Sequence, residues 1–172
     1  PNDVVKGSDK RVMWLCPIGD DHQWEARIGE RSKGKGCPFC AGKRVSKTNS
    51  LTALAPDVAK QWHPSLNGEL TPGDVVAGSA KKVWWKCPKG PDHEWESNVG
   101  ERATNQKRGC PFCAGQKVSV TNSLASLAPQ LVKEWDYEKN GDLKPEDVVL
   151  GTNRKIFWEC PKGPDHKWTA SG

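Results

Sequence analysis

The sequence predicts a small α+β fold in tandem copies. Each copy is a β-hairpin closed by a Cys-Pro-Phe-Cys turn, and short helical connectors join the copies. Three observations predict this. First, the chain repeats itself: Cys16, Cys87 and Cys160 sit in the matching stretches PNDVVKGSDKRVMWLCP, PGDVVAGSAKKVWWKCP and PEDVVLGTNRKIFWECP. Second, all 7 cysteines fall into one register, with a histidine at a fixed offset. Third, the chain is only 35% hydrophobic, with mean hydropathy −0.75, yet it holds 9 Trp beside 3 Phe and 1 Tyr. With 17 Gly and 13 Pro in 172 residues, one large core is not expected. Units of a few tens of residues bury too little apolar surface to fold unaided, so they need a staple. A few large rings supply the burial there is.

The elements follow from the middle copy. Asp74 to Val76 is expected as a short strand, followed by a turn at Gly78-Ser79. Val83 to Cys87 is a strand, with Val83 and Trp85 on one face and Trp84 and Lys86 on the other. Pro88 to Asp92 turns the hairpin, and Glu94 to Val99 returns, carrying Trp95. Gly100 to Gly109 reads as a polar, basic loop that leads into Cys110. Asn122 or Ser123 can cap the next turn. Leu124, Leu127, Leu131 and Trp135 lie at helical spacing and predict one apolar stripe. Pro129 divides it into a short turn up to Leu127 and a helix with Pro129 at its first position. The earlier copy has Leu51, Leu54, Val58 and Trp62, with Pro56 in the same place. Asn67-Gly68 and Asn140-Gly141 end these segments as turns.

The cysteine spacing points to metal. Zinc is held tetrahedrally by thiolate and imidazole, and structural sites are closed by four protein ligands. Cys-x5-His on a hairpin places two ligands at one end of the strands, and Cys-x2-Cys aims two more at the same point. One set is Cys16, His22, Cys37 and Cys40; the second is Cys87, His93, Cys110 and Cys113. Two zinc ions are therefore the expected cofactor. Cys160 and His166 begin a third set whose closing pair is expected beyond Gly172, so that set is incomplete here. The alternatives are disulfides or buried free thiols with a core histidine. The common register, and the lack of a signal peptide or transmembrane run, favour zinc in a reducing, intracellular compartment. Four ligands per site leave no open position for a catalytic water, so no enzyme activity is expected. His63 lies outside the register and reads as a surface turn residue.

At these residues the chain resembles the treble-clef zinc-finger repeat family, also described as a probable zinc-ribbon domain. The likeness rests on Trp85-Lys86-Cys87-Pro88, His93-Glu94-Trp95, Arg102 and Cys110 to Cys113, and on Trp14, Cys16, His22, Trp24, Arg31, Cys37 and Cys40. The connectors, with Leu-Ala-Pro and a closing Trp, are also similar. The resemblance implies zinc binding, tandem arrays and a nucleic-acid role, sometimes beside an endonuclease-like domain. Two departures stand out. The hairpin spacing is Cys-x5-His rather than Cys-x4-His. About ten residues separate Cys113 from Leu124, whereas a treble clef carries its last ligands on the first turn of a helix. The domain plan is finger 1 over residues 1–48, connector 1 over 49–73, finger 2 over 74–121, connector 2 over 122–145, and the front half of a third finger over 146–172.

Charge suggests the partner. The formal net charge is +5, and two zinc ions with six thiolates would lower it to about +3. Clustering matters more than this small surplus. Arg31, Lys33, Lys35, Lys43 and Arg44 surround the first Cys-Pro-Phe-Cys, and Arg102, Lys107, Arg108 and Lys117 surround the second. Lys10-Arg11, Lys81-Lys82 and Arg154-Lys155 recur ahead of the first ligand strand. Such patches fit phosphate, and their repetition would track a backbone of DNA or RNA. Trp84 and its counterparts could stack on bases. The expectation is a non-catalytic nucleic-acid-binding module, part of a longer array or the targeting region of a nuclease. A protein-interaction scaffold is the alternative, because Glu30, Asp57, Glu134 and Glu146 dilute the positive field. No membrane or small-molecule partner is expected.

Overall fold

The computed structural model describes residues 3–104, 108–163 and 165–172. Among them are six strands, β1 (Arg11–Leu15), β2 (Gln23–Arg27), β3 (Lys82–Lys86), β4 (Glu94–Asn98), β5 (Lys155–Glu159) and β6 (Lys167–Ser171). They pair as three two-stranded hairpins, β1 with β2, β3 with β4 and β5 with β6. The helices are little more than one turn long: α1 (Ile28–Ser32), α2 (Leu51–Leu54), α3 (Pro56–Ala59), α4 (Val99–Ala103) and α5 (Leu124–Leu127). None of them is long and apolar enough to cross a membrane.

The register of the first hairpin sets Trp14 opposite Trp24 and Met13 opposite Glu25; the third sets Trp158 opposite Trp168. Alternation along Lys82–Lys86 turns Val83 and Trp85 inward, as the pattern predicts, and both are buried. Aromatic and β-branched residues suit such a pleated, half-buried surface.

The chain divides into two compact units, Pro1–Trp85 with Glu96–Arg108, and Lys86–Trp95 with Gly109–Gly172. In the first, Leu51, Val75, Val83, Trp85 and Val99 are buried. Trp62 meets Trp85 edge to face, with ring centroids 5.6 Å apart. The Leu51 amide donates to the Val75 carbonyl, and His63 N–H donates to the Trp84 carbonyl. In the second, Leu124, Trp135, Val148, Ile156 and Trp158 form the core, flanked by Leu131, Val132 and Leu143. Trp135 meets Trp158 at the same 5.6 Å, and Asp136 N–H donates to the Phe157 carbonyl. Each connector therefore packs on the hairpin that follows it in sequence.

Four expectations are corrected. Residues 72–74 form a 3-10 turn rather than opening a strand, and Val76 makes only an isolated bridge to Ser50. The supposed loop from Gly100 begins inside α4, which the fully buried Val99 anchors. The apolar stripe is broken, because Leu54 and Leu127 are exposed. A residue before proline avoids the helical region. Ala55 and Ala128 do so at φ −144° and −137°, which throws the two halves of each connector out of phase. Pro56 does start a helix, but its counterpart Pro129 does not; there a 3-10 turn over Leu131–Glu134 follows. Of the two candidate caps, Ser123 accepts from the Ser126 amide, as Ser50 does from Ala53.

Candidate metal centre

Each complete ligand set is assembled from a hairpin end and a Cys-Pro-Phe-Cys turn. In the hairpin, the Cys87 amide donates to the His93 carbonyl at 3.0 Å, and Cys16 donates to His22 at 3.1 Å. Gly90 and Gly19 lie beneath the histidine rings. A Cβ on Gly90 would come within 2.5 Å of the His93 ring, so glycine is required there. In the turn, the Ala114 amide donates to the Cys110 carbonyl and Gln116 to Pro111. Gly115 closes it at φ +67° and Gly42 closes the first turn at +65°, conformations that glycine adopts without steric cost. The last two ligands thus sit on a single closed turn rather than on a helix.

The four ligand atoms of each set lie within 4.8 Å of one another. Cys16 Sγ and Cys40 Sγ are 3.6 Å apart, and Cys37 Sγ and Cys40 Sγ lie 3.7 and 3.6 Å from His22 Nδ1. In the second set, Cys87 Sγ and Cys113 Sγ are 3.7 Å apart, and Cys110 and Cys113 lie 3.6 and 3.7 Å from His93 Nδ1. A tetrahedron with metal–sulfur bonds of ~2.3 Å and metal–nitrogen bonds of ~2.0 Å spaces its corners by about 3.5–3.8 Å. Both sets therefore fit zinc. The thiols also need a cation. Cys40 is pushed up to about 11, first by lost solvation and then by the neighbouring Cys16 and Cys37 sulfurs. Cys113 is pushed up to about 11 by lost solvation and by Cys87 and Cys110. A bound cation offsets the charge of three sulfurs packed this closely. All 7 cysteines are free of disulfides.

Three groups of supporting residues escaped the sequence reading. His22 Nε2 lies 3.0 Å from Ser46 Oγ and 2.9 Å from Thr48 Oγ1; His93 Nε2 lies 3.1 Å from Ser119 Oγ and 2.8 Å from Thr121 Oγ1. With Nδ1 facing the thiols, Nε2 carries the proton and the hydroxyls accept it, which fixes the ring. The ring of Phe39 stacks on His22 and that of Phe112 on His93, with centroids 5.0 Å apart in both. The Asp92 carboxylate accepts from the Val120 amide at 2.9 Å, and Asp21 from Lys47 at 2.7 Å. The residue that lengthens Cys-x4-His to Cys-x5-His lies in the turn that carries this aspartate. The signal for the hydroxyls was the repeated Val-Ser-x-Thr-Asn-Ser after each Cys pair.

The third hairpin repeats the geometry without its closing pair. The Cys160 amide donates to the His166 carbonyl at 2.9 Å, but His166 is exposed and Trp168 is 42% exposed. Its counterpart Trp95 is 4% exposed and meets Phe112 edge to face.

The basic residues divide into two kinds. Lys33, Lys35, Lys43, Arg44, Arg108 and Lys117 are exposed. Arg31 and Arg102 instead serve the interior. Arg31 lies 5.0 Å over Trp14 and 5.3 Å over Trp24, and donates to the Lys35 carbonyl. Arg102 is 4% exposed, lies 4.9 Å over Trp85, and donates to the Arg108 carbonyl and Gln61. A planar guanidinium stacks on an indole face while its N–H groups bond outward, so it closes a small core well. Lys107 lies outside the described residues. Trp84 is half-buried, and Asn67 binds both its backbone groups. His63, expected as a surface turn residue, is buried instead; its Nδ1 accepts from the Ser65 and Leu66 amides.

A comparison with curated proteins finds no match. The family model described as "Probable Treble clef zinc finger domain" matches residues 1–43, 58–116 and 131–171. Those segments contain every ligand of both metal sets. On that ground, and on the two Cys3His clusters, the chain belongs to the probable treble clef zinc finger family.

Proposed function

We propose that this protein is a non-catalytic array of zinc fingers that binds nucleic acid, DNA or RNA, mainly through phosphate. The observation that carries this reading is the set of exposed cations around each metal centre. Lys33, Lys43 and Arg44 have no ion-pair partner among the described residues, so their charge is available. Lys117 and the pairs Lys10-Arg11, Lys81-Lys82 and Arg154-Lys155 add exposed charge at recurring positions. Zinc pins the loops that carry the first group, so little ordering cost would accompany binding. The closed ligand sets support a binding role over catalysis, since they leave no coordination position for substrate or water.

The test is a mobility-shift series with duplex DNA, single strands and structured RNA at several salt concentrations. Binding is expected to weaken steeply with salt. Replacing Lys43 and Arg44 by Ala, with both zinc ions retained, is expected to weaken binding alike across sequences and to flatten the salt slope by about one to two units. If the parent protein binds none of these at low salt, the protein-scaffold reading replaces this one.

A further inference from the structure

The three hairpins are equivalent in sequence but not in cover. On the second, the connector places Trp62 against Trp85, and Asn67 clamps the edge of β3. Asn67 Nδ2 donates to the Trp84 carbonyl at 2.9 Å, and the Trp84 amide donates to Asn67 Oδ1 at 2.8 Å. His63 N–H donates to the same carbonyl. On the third hairpin, Trp135, Asp136 and Asn140 repeat each contact at Trp158 and Phe157. Asn140 lies 2.7 Å from the Phe157 carbonyl and 3.0 Å from its amide. A single residue of each connector thus pairs antiparallel with the hairpin edge, Trp62 with Trp85 and Trp135 with Trp158.

The first hairpin has no such cover among the described residues. Its register, with Cys16 bonded to His22, turns the Met13 amide and carbonyl away from β2. Met13 takes the position of Trp84 and Phe157 and is 67% exposed, against 39% for Phe157 and half-burial for Trp84. Trp14 is only half-buried, whereas Trp85 and Trp158 are buried. Val4 is 37% exposed, whereas its equivalents Val75 and Val148 are 5% and 4% exposed. The equivalent strand edge, with its inward tryptophan, is thus covered twice and open once. An unpaired edge beside apolar side chains is a template for an added strand.

We infer that β1 is a docking site for a connector-type segment from another repeat of this family, carrying Trp, then His or Asp, then Asn in the order of residues 62, 63 and 67. Its tryptophan meets Trp14 edge to face, and its asparagine closes both backbone groups of Met13. The two connectors within this chain are the templates, because they bind equivalent hairpins through the same atoms. Of the cations proposed to meet phosphate only Arg11 lies on β1; Lys33, Lys43 and Arg44 lie outside it.

The test uses the zinc-loaded chain, labelled for NMR, and a synthetic peptide with the sequence of residues 58–70. A connector joined to its hairpin acts at a millimolar effective concentration, so the free peptide is titrated to millimolar levels. Saturable shifts are expected at the Met13 and Trp14 amides, with slowed exchange at Met13. Peptides carrying Trp62→Ala or Asn67→Ala are expected to bind at least tenfold more weakly. Met13→Pro, which removes the amide from a non-hydrogen-bonded pair position, is expected to abolish the response while zinc content stays at two. If it loses zinc instead, the peptide variants decide. Absence of shifts at β1 would overturn the inference. So would equal binding by the two substituted peptides, which would indicate unspecific apolar contact. A dimer of the chain that covers β1 and resists the peptide would equally overturn it, since a second copy would then occupy the face in another way.

Discussion

At the scale of single residues, the metal centres depend on side chains that never touch the metal. Ser119 and Thr121 hold the His93 ring through Nε2, and Phe112 holds its face. Removing such an outer partner typically costs 10–100-fold in metal affinity. Ser119→Ala combined with Thr121→Val is expected to weaken the second site by about that factor and to leave the first unchanged. Competition with a chelating dye would resolve the two sites; equal affinities would show that the hydroxyls are passive. Arg31 and Arg102 make the converse point. Both stand in short helices, in stretches where the sequence reads an arginine as surface charge, yet each faces an indole. Sequence spacing cannot separate these roles, because the side chain is long enough to serve either.

At the scale of elements, the tryptophans show what holds a hairpin of five-residue strands. Trp85 is fully buried between Trp62 and the Arg102 guanidinium, and its Nε1–H donates to the Ser97 carbonyl at 3.0 Å. Trp85→Ala is expected to destabilise its unit by about 3–5 kcal/mol, because the cavity cannot close in so small a core. Trp168 occupies the position of Trp95 on a hairpin that has no Cys-Pro-Phe-Cys turn among the described residues, and is 42% exposed. Trp168→Ala is expected to change stability by less than about 0.5 kcal/mol, as exposed substitutions usually do. Denaturant melts of both variants would check the contrast; equal losses would mean that the third hairpin is covered in solution. The single apolar stripe predicted for each connector failed for a local reason. Pro56 and Pro129 force the preceding alanine out of helical geometry, so the apolar spacing across them has no common face.

At the scale of the whole molecule, each metal set belongs to one compact unit, the first to Pro1–Trp85 with Glu96–Arg108 and the second to Lys86–Trp95 with Gly109–Gly172. Metal binding in such units is folding free energy. Cys110→Ser is therefore expected to remove one zinc and the amide protection of Cys87 to Trp95, while the first site keeps its ion. Elemental analysis with amide exchange would check this; loss of both ions would show a single cooperative body. The sequence alone determined the repeat, the two ligand sets and the inward face of each hairpin. Those follow from covalent spacing, strand alternation and the fixed geometry of a tetrahedral ion. Only the tertiary structure decided which connector covers which hairpin, that Ser-x-Thr holds the histidine, and that two of the predicted phosphate arginines stack on tryptophan. Such choices depend on which atoms meet across 17 to 41 positions of chain. They are settled by packing and by the pairing of buried polar groups, which no local pattern encodes.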